Sequence, residues 1–313
     1  MTGPWGVPVA RDVVLVTGPD AQRYLQGQLS QDVDALVVGG SASSLLLAPQ
    51  GHLVALLRVT RTAEEAFALD TDAGAGEAVV ARLQRFLLRT KAELTPVDWT
   101  CVAVRHHDAG QATGGTGSPM QAAPTRAPEV TQAPEAPARP DLPDGVWVVD
   151  PEVPGAGAYD LLGPGASLSE GVTAGDPLHY EALRIERGVP RMGVELTERT
   201  IPAEAGIVDR SASFTKGCYT GQELVARIDS RGGNVPRRLR GIVLQGEVVP
   251  RPGATVTVDG VEIGAVTSSA RSTTLGAPVA LAYAKRGTEV PGPCTVRWDG
   301  RDAEGRIHEL PLT

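Results

Sequence analysis

The 313-residue sequence predicts an α+β protein that ends in an antiparallel β-barrel. Three observations support this prediction. Residues 1–107 alternate short apolar runs with two amphipathic helical patterns, which is typical of antiparallel strands with helices laid against them. Residues 108–144 then lack large apolar side chains almost completely. From Arg237 onward, five to six short apolar segments are divided by turns such as Asp259-Gly260 and Asp299-Gly300, which indicates a small barrel.

Composition and net charge argue against several classes of protein. The net charge of −8 argues against general binding to nucleic acid or to anionic membranes. No apolar run approaches the roughly 18 residues that a membrane-spanning helix needs, and the N-terminus lacks a secretion-signal pattern. The three cysteines are too widely spaced for a disulfide framework or a CxxC metal site, and the five histidines form no metal-binding pair. We therefore expect a cytoplasmic protein with free thiols and no metal site.

The first part contains five predicted strands and two predicted helices. The strands are expected at residues 13–16, 44–47, 53–59, 67–69 and 99–104. The second and third of them form a hairpin about the turn at Pro49-Gln50-Gly51. One helix follows Asp20 as its N-cap, and the other covers residues 75–89 with an apolar stripe of Val79, Leu83, Phe86 and Leu87.

The stretch 108–144 is rich in Pro, Ala, Gly and Thr and cannot bury enough apolar surface to offset the entropy of ordering it. We interpret it as a flexible insertion. Strands follow at 146–149 and 159–162. The predicted domains are an N-terminal α+β part at 1–107, the insertion at 108–144, a second α+β part at 145–236 and the barrel at 237–313.

A third helix opens at Asp176-Pro177, with Asp as the N-cap and Pro in the first turn. Its predicted apolar face is formed by Leu178, Ala182, Leu183 and Ile185, with Arg184 and Arg187 pointing elsewhere. Glu186 borders this face. Two interpretations are open: a surface glutamate at the rim of the face, or a carboxylate aimed into a ligand cavity that binds a pair of hydrogen-bond donors.

The stretch Lys216-Gly217-Cys218-Tyr219-Thr220-Gly221-Gln222-Glu223 precedes another helical pattern. Thr220 and Glu223 have the spacing of a capping box, which places Cys218 two residues before the helix. The helix end and the Lys216 ammonium would then favour the thiolate form of the cysteine. The alternative is a helix-opening loop in which Cys218 is a small buried hydrophobic residue.

Five arginines cluster at the entrance to the predicted barrel, at positions 227, 231, 237, 238 and 240. They form either a solvated basic face or a local binding site for the anionic tail of a ligand.

The motif Lys216–Glu223 resembles the K-G-C-[FY]-x-G-Q-E motif of the YgfZ family of folate-binding proteins, which are relatives of the glycine cleavage T-protein, an aminomethyltransferase. Four further segments resemble family segments in the same order, at residues 24–33, 82–91, 184–190 and 264–268. The resemblance covers the chain except for 108–144.

The resemblance implies a cloverleaf of three subdomains around a channel for tetrahydrofolate, and a role in assembly or repair of iron–sulfur clusters in a subset of enzymes. It implies that Cys218 is the functional thiol, with Lys216 and Tyr219 shaping its surroundings. Glu186 would bind the pterin edge, whose amino group and neighbouring N–H are two adjacent donors. The tail of the folate would meet the arginine cluster, including Arg227, Arg237 and Arg238. Iron–sulfur enzymes or cluster assembly factors are the implied protein partners.

One departure separates this chain from T-proteins, which carry an acidic pair after a Gly-Gly-[IV]-x turn. The corresponding turn here is Gly51-His52-Leu53-Val54, and Ala55-Leu56 follows it. No carboxylate is available there for methylene transfer. Three hypotheses follow: a folate-binding accessory protein that uses Cys218, a folate-dependent one-carbon transferase, and a scaffold whose cysteine is structural. Whether the protein is an enzyme stays open.

Overall fold

A computed structural model describes residues 3–106, 142–155, 157–230 and 232–313. The predicted insertion falls almost entirely on 107–141, outside the described residues. The helices are α1 Ala21–Gln28, α2 Gly76–Gln84, α3 Pro177–Glu186, α4 Val208–Ser211 and α5 Gln222–Ser230, with a 3-10 helix at Pro202–Glu204. The strands are β1 Pro4–Val9, β2 Arg11–Thr17, β3 Ser41–Leu47, β4 Leu53–Ala63, β5 Ala66–Asp72, β6 Glu93–Val97, β7 Thr100–His106, β8 Trp147–Val149, β9 Tyr159–Gly163, β10 Thr173–Ala174, β11 Arg237–Leu244, β12 Thr255–Val258, β13 Val261–Ser272, β14 Ala277–Lys285, β15 Gly292–Trp298 and β16 Arg301–His308.

These elements form two compact units. Unit 1 comprises the described residues within Met1–Leu46, Leu56–Ala174 and Asp209–Thr220. Unit 2 comprises those within Leu47–Ala55, Gly175–Val208 and Gly221–Thr313. No helix in the described ranges is both long enough and apolar enough to cross a membrane.

Unit 1 contains two five-stranded sheets. Their strand orders are β10-β1-β7-β9-β8 and β3-β4-β5-β2-β6. Neighbouring strands run antiparallel wherever their register is defined, except that β1 and β10 are parallel. One apolar cluster draws Val13 and Ala68 from the second sheet and Cys101, Val149 and Leu162 from the first. The two sheets therefore share a core.

A buried chain of charges also joins the two sheets. Arg58 of β4 bonds through Nε to Asp70 of β5 at 2.9 Å and through Nη1 to Asp160 of β9 at 2.8 Å. Arg105 of β7 bonds to the other oxygen of Asp160 at 2.8 Å. Burial alone would raise the pKa of Asp160, but the Arg105 and Arg58 guanidinium groups outweigh burial and lower it. Asp160 is therefore held as a carboxylate that links one arginine from each sheet.

Unit 2 is built on a closed antiparallel barrel with the strand order β11-β14-β13-β12-β15-β16, and pairing of β11 with β16 closes it. The side chains of strand β14 point alternately to its two faces, and both faces are buried. Ala280, Ala282 and Ala284 join the barrel core, whereas Val279 and Leu281 pack in a separate cluster with Ile185 of α3. The barrel therefore anchors the end of α3, where Glu186 lies.

The α+β class and the C-terminal antiparallel barrel are confirmed, and each strand predicted before the barrel lies within or overlaps an observed strand.

The second helix was predicted to reach residue 89, but α2 ends at Gln84 and Arg89 has a left-handed φ of 62°. The Asp20 side chain forms no cap bond to α1; its Oδ2 instead accepts from the Lys91 amide. Strand β6 was not predicted because Pro96 interrupts its pattern, which an edge strand tolerates. The domain boundaries stay predictions.

We expect Asp160→Asn to lower the free energy of unfolding by about 3–5 kcal/mol, because it breaks a buried ion pair and leaves two arginines undercompensated. Since the folded-state pKa of Asp160 is lowered, its contribution is present above the ordinary pKa of about 3.9 and is lost as the pH falls through the folded value. Urea unfolding of wild type and variant at several pH values measures both effects.

The matched control is Asp302→Asn, which removes a half-exposed partner of Arg297 and should cost less than about 1 kcal/mol. Equal losses in the two variants would show that the Asp160 network contributes no more than a surface pair.

Candidate functional site

The Lys216 side chain of unit 1 is bound to the end of helix α1. Its Nζ donates to the carbonyl oxygens of Gln26 at 2.7 Å, Leu29 at 2.8 Å and Gln31 at 2.8 Å. A lysine ammonium has three N–H donors, so all of them are used. Burial lowers the pKa of Lys216 to about 8, against the raising effect of Asp32 and Asp34.

The end of α1 explains why a cation is bound there. Helix α1 ends at Gln28, and the Ser30 amide bonds to the Leu45 carbonyl at 3.1 Å instead of continuing the helix. The Gln26 carbonyl consequently lacks its intrahelical donor. The negative end of the helix dipole adds to the attraction for an ammonium group. Lys216 therefore positions the loop that follows it, and its effect on the thiolate form of Cys218 stays a prediction.

Tyr219 lies against the same lysine. The Lys216 Nζ is 5.4 Å from the centre of the Tyr219 ring, within the range of a cation–π contact. Burial raises the pKa of Tyr219 to about 12, so its hydroxyl keeps its proton at neutral pH. Lys216 and Tyr219 thus fix the loop on both sides of Cys218. These three predicted residues lie together because they are near neighbours in the sequence.

Cys218 is exposed, whereas Cys101 and Cys294 are buried. Burial raises the pKa of Cys101 to about 12 and that of Cys294 to about 11, which keeps both as thiols. The interpretation of Cys218 as a buried hydrophobic residue is wrong. The predicted helix start is one residue early: a Thr220 N-cap would make residue 221 the first helical residue, whereas α5 begins at Gln222. The Thr220 hydroxyl donates to the Gly27 carbonyl at 3.4 Å.

Two glycines in unit 2 allow close approach between the hairpin turn and the start of α5. A Cβ on Gly221, which has a φ of +84°, would lie 2.5 Å from the Ala48 carbonyl oxygen. A Cβ on Gly51, with a φ of +86°, would lie 2.4 Å from the Leu224 Cβ. Gly217, by contrast, has open space where a Cβ would lie. Gly221 and Gly51 are therefore required by packing.

Glu186 ends helix α3 in unit 2 and is only 2% exposed. Asp176 caps the other end of this helix by accepting from the Leu178 amide at 2.9 Å, as predicted. The Glu186 carbonyl accepts from the Leu312 amide at 2.7 Å. Among the described residues, no hydrogen bond or ion pair engages the Glu186 carboxylate. Its burial excludes the interpretation as a surface glutamate.

The orientation of α3 differs from the prediction at two positions. Leu178 is 76% exposed and does not belong to the apolar face, whereas Ala182 and Ile185 are buried as predicted. Arg184 was expected to point away from the core, yet it is buried and donates to Ser268 at 2.7 Å. It also lies 3.4 Å from Glu195. Apolar periodicity does not reveal a buried arginine whose partners are remote in sequence.

The predicted arginines of unit 2 have different environments. Arg237 is paired with Glu204 at 3.1 Å and lies over the Tyr283 ring, 4.3 Å from its centre. Arg238 donates to the Gly233 carbonyl. Arg227 is exposed and forms no ion pair among the described residues, and residue 231 lies outside them. Of the three arginines predicted to bind the folate tail, Arg227 alone has a side chain without a hydrogen bond or ion pair within the described ranges.

The pair that stands in place of the T-protein acids is apolar and buried: Ala55 is inaccessible and Leu56 nearly so. Neither side chain can exchange a proton. No group of three or more His, Cys, Asp or Glu in the described part of the chain is arranged to hold a metal ion.

We expect Lys216→Met to lower the free energy of unfolding by about 2–3 kcal/mol, because three carbonyl oxygens at the end of α1 lose their donor. Chemical denaturation in urea measures the loss. Lys91→Met is the matched control, since Lys91 is exposed and should change stability by less than about 0.5 kcal/mol. A loss in Lys216→Met no larger than in the control would contradict the positioning role.

The chain was compared with known proteins. Residues 237–313 match the family described as the glycine cleavage T-protein C-terminal barrel domain. The chain is 40% identical over 123 residues to an aminomethyltransferase of Streptomyces avermitilis, covering 39% of this chain and 33% of that protein. It is 28% identical over 238 residues to a mitochondrial iron–sulfur cluster assembly factor IBA57 homolog of Mycosarcoma maydis, covering 71% of this chain and 53% of that protein.

The match to a solved structure covers the whole chain. The crystal structure of the glycine cleavage system aminomethyltransferase T from Bartonella henselae superposes with a TM-score of 0.74 at 19% identity, covering 100% of this chain and 87% of that one. The chain spans only a third of the Streptomyces relative and about half of the Mycosarcoma relative. The chain therefore has the fold of the glycine cleavage T-protein, and its C-terminal barrel is related to the barrel domain of that protein.

Proposed function

We propose that this protein is a cytoplasmic tetrahydrofolate-binding accessory protein that supports assembly or repair of iron–sulfur clusters, with Glu186 as the folate ligand and Cys218 as the working thiol. The observation that carries the proposal is Glu186, a residue only 2% exposed whose carboxylate forms no hydrogen bond or ion pair among the described residues, although its oxygens are not fully closed off from solvent. A buried carboxylate is costly unless a donor satisfies it, so a missing donor points to a ligand.

The chemistry of Glu186 fits a pterin. A carboxylate accepts two parallel hydrogen bonds, and the pterin edge presents an amino group beside an N–H. The helix that carries Glu186 is capped by Asp176 and anchored through Ile185, so the backbone at Glu186 has a fixed position. When bound, tetrahydrofolate supplies nitrogen atoms that carry one-carbon units.

For the anionic tail of the folate, Arg227 is the best candidate of the three arginines. Arg237 is neutralised by Glu204, and the Arg238 guanidinium is bonded to a backbone carbonyl. Arg237 and Arg238 could still shape the site, but a new carboxylate partner would have to compete with these bonds. Arg227 would bind the tail near the surface, where an ion pair contributes little affinity and more to the rate of association.

Cys218 supports the role in cluster maintenance. Its thiol is exposed on a loop that Lys216 and Tyr219 hold in place, as expected for a residue that meets a second protein or its cluster. The iron–sulfur cluster would be the cargo handled at Cys218 and not a resident cofactor of this protein. The likeness to a protein titled an iron–sulfur cluster assembly factor supports this choice of pathway.

The second candidate function is a folate-dependent one-carbon transferase. The likeness to proteins named aminomethyltransferase favours it. Ala55 and Leu56 disfavour it, because no carboxylate stands there to orient the donor or to move a proton. Cys218 would then have to serve as nucleophile or acceptor.

We expect Glu186→Gln to weaken tetrahydrofolate binding by about 1–3 kcal/mol, because the amide presents a donor where the carboxylate accepts from the pterin. Isothermal titration calorimetry measures the affinity. The control Glu198→Gln changes an exposed glutamate of the same unit and should leave the affinity unchanged. Equal affinity of wild type and Glu186→Gln would reject the assignment.

We expect Cys218→Ala to bind tetrahydrofolate normally but to leave the activity of cluster-dependent enzymes unrestored in a strain that lacks the wild-type protein. Cys218→Ser, which keeps the size but lacks the thiol, should fail equally. Titration with Ellman's reagent should find one reactive thiol in the folded wild type and three after unfolding.

Full restoration by both variants would remove the thiol from the mechanism. Transfer of a methylene or formyl group from a folate to a small molecule, lost in both variants, would favour the transferase instead.

A further inference from the structure

Unit 1 contains a cavity of about 340 Å³ that the proposed function does not use. Its volume lies within the range of cavities that bind small molecules. Part of its lining is apolar and part is charged. The lining residues are Arg11, Ser43, Leu56, Leu57, Arg58, Asp150, Pro151, Glu152, Pro154 and Arg210.

Two of the three lining arginines are already neutralised. Arg11 lies 2.9 Å from Asp70, 3.0 Å from Asp72 and 2.7 Å from Glu152. Arg58 belongs to the buried chain of charges that joins the two sheets, and its Nη1 also donates to the Asp150 carbonyl. Their donors face protein acceptors, so neither guanidinium is available to a ligand without breaking a buried ion pair.

Arg210 is different. Its Nε is buried and has no hydrogen-bond partner, and among the described residues no carboxylate lies within ion-pair distance of its guanidinium. Burial lowers the pKa of Arg210, and the more distant Glu152 only partly offsets this effect. A buried donor without a partner calls for an explanation, and a ligand that supplies an acceptor is one.

The segment that carries Arg210 is held firmly. The carbonyl of the next residue, Ser211, accepts from the Ser30 hydroxyl at 2.5 Å, and the Ser211 hydroxyl lies 2.8 Å from that of Ser43. Ser211 is itself fully buried. The backbone at Arg210 is therefore fixed beside the cavity, so the unsatisfied Nε does not result from a loosely held loop.

We propose that this cavity binds a small monocarboxylate with an apolar body, and that Arg210 is its anchor. A guanidinium presents paired N–H groups that match the two oxygens of a carboxylate. Leu56, Leu57, Pro151 and Pro154 supply surface for the apolar body. Asp150 and Glu152 also line the cavity, so a singly charged anion is favoured over a doubly charged phosphate, which these carboxylates repel more strongly.

The inference rests on Arg210 in unit 1 and does not depend on folate binding at Glu186. It is tested on the full chain with benzoate as the probe and benzamide, its neutral analogue of nearly equal shape, as the comparison. Binding is measured by calorimetry and by the rise in melting temperature with probe concentration. Benzoate should bind and stabilise the wild type, and benzamide should bind at least tenfold more weakly.

Arg210→Gln should weaken benzoate binding at least tenfold, whereas Arg23→Gln, at a side chain that is 82% exposed, should leave it unchanged. If Arg210→Gln does not fold, Arg210→Lys decides the question, because it keeps the charge but loses the paired donors and should weaken binding at least fivefold. No benzoate binding to the wild type, equal binding of benzamide, or unchanged affinity in the Arg210 variants would each overturn the proposal. Tetrahydrofolate binding should be tested in the same variants, since its loss in Glu186→Gln alone separates the two sites.

Discussion

The three hydrogen bonds from the Lys216 ammonium to the end of α1 are the constraint on which the candidate site depends. A helix that stops leaves carbonyl groups without donors, and at α1 a lysine from a segment some 190 residues later in the chain supplies them. The loop after Lys216 is fixed as a result, and Cys218 is presented to solvent from a rigid base. The ammonium keeps its charge in these bonds, and what they fix is its position. Lys216 therefore acts on Cys218 by holding the loop in place.

A second constraint holds unit 1 together from within. Arg58 and Arg105 share Asp160, and Arg58 and Arg11 share Asp70, so neither carboxylate can be removed without leaving a buried cation. Buried charges of this kind add little net stability compared with apolar packing, but they penalise any arrangement in which the pairs are broken. The relative placement of the two sheets is thereby specified. The cavity that Arg210 lines is bordered by Arg11 and Arg58 of this network, whose ion pairs hold that side of the cavity in place.

The sequence predicted the fold well where the signal is local. Short apolar segments divided by turns identified the barrel strands, and Asp176-Pro177 marked the start of α3. The resemblance to a known family selected Cys218 and Glu186, of which the first proved exposed and the second buried. Prediction failed where a side chain has a partner far away in sequence. Arg184 lies on an apparently polar face but is buried by Glu195 and Ser268, and nothing near position 216 indicates that its charge belongs to α1.

Glu186 and the pair Ala55-Leu56 differ in what they can offer a ligand. A carboxylate buried without a partner is a cost that a ligand can offset, and unit 2 retains this cost at Glu186. The apolar pair carries no such cost and offers no proton. In unit 1, Leu56 instead lines a cavity in which, within the described ranges, the Arg210 Nε is a buried donor without a partner. Arg11 and Arg58 are paired with carboxylates, whereas Arg210 has no carboxylate within ion-pair distance among the described residues, so a carboxylate guest would offset a charge to which an amine would add. The two proposals thus assign opposite roles to the two positions: Glu186 would accept hydrogen bonds from its ligand, whereas Arg210 would donate them.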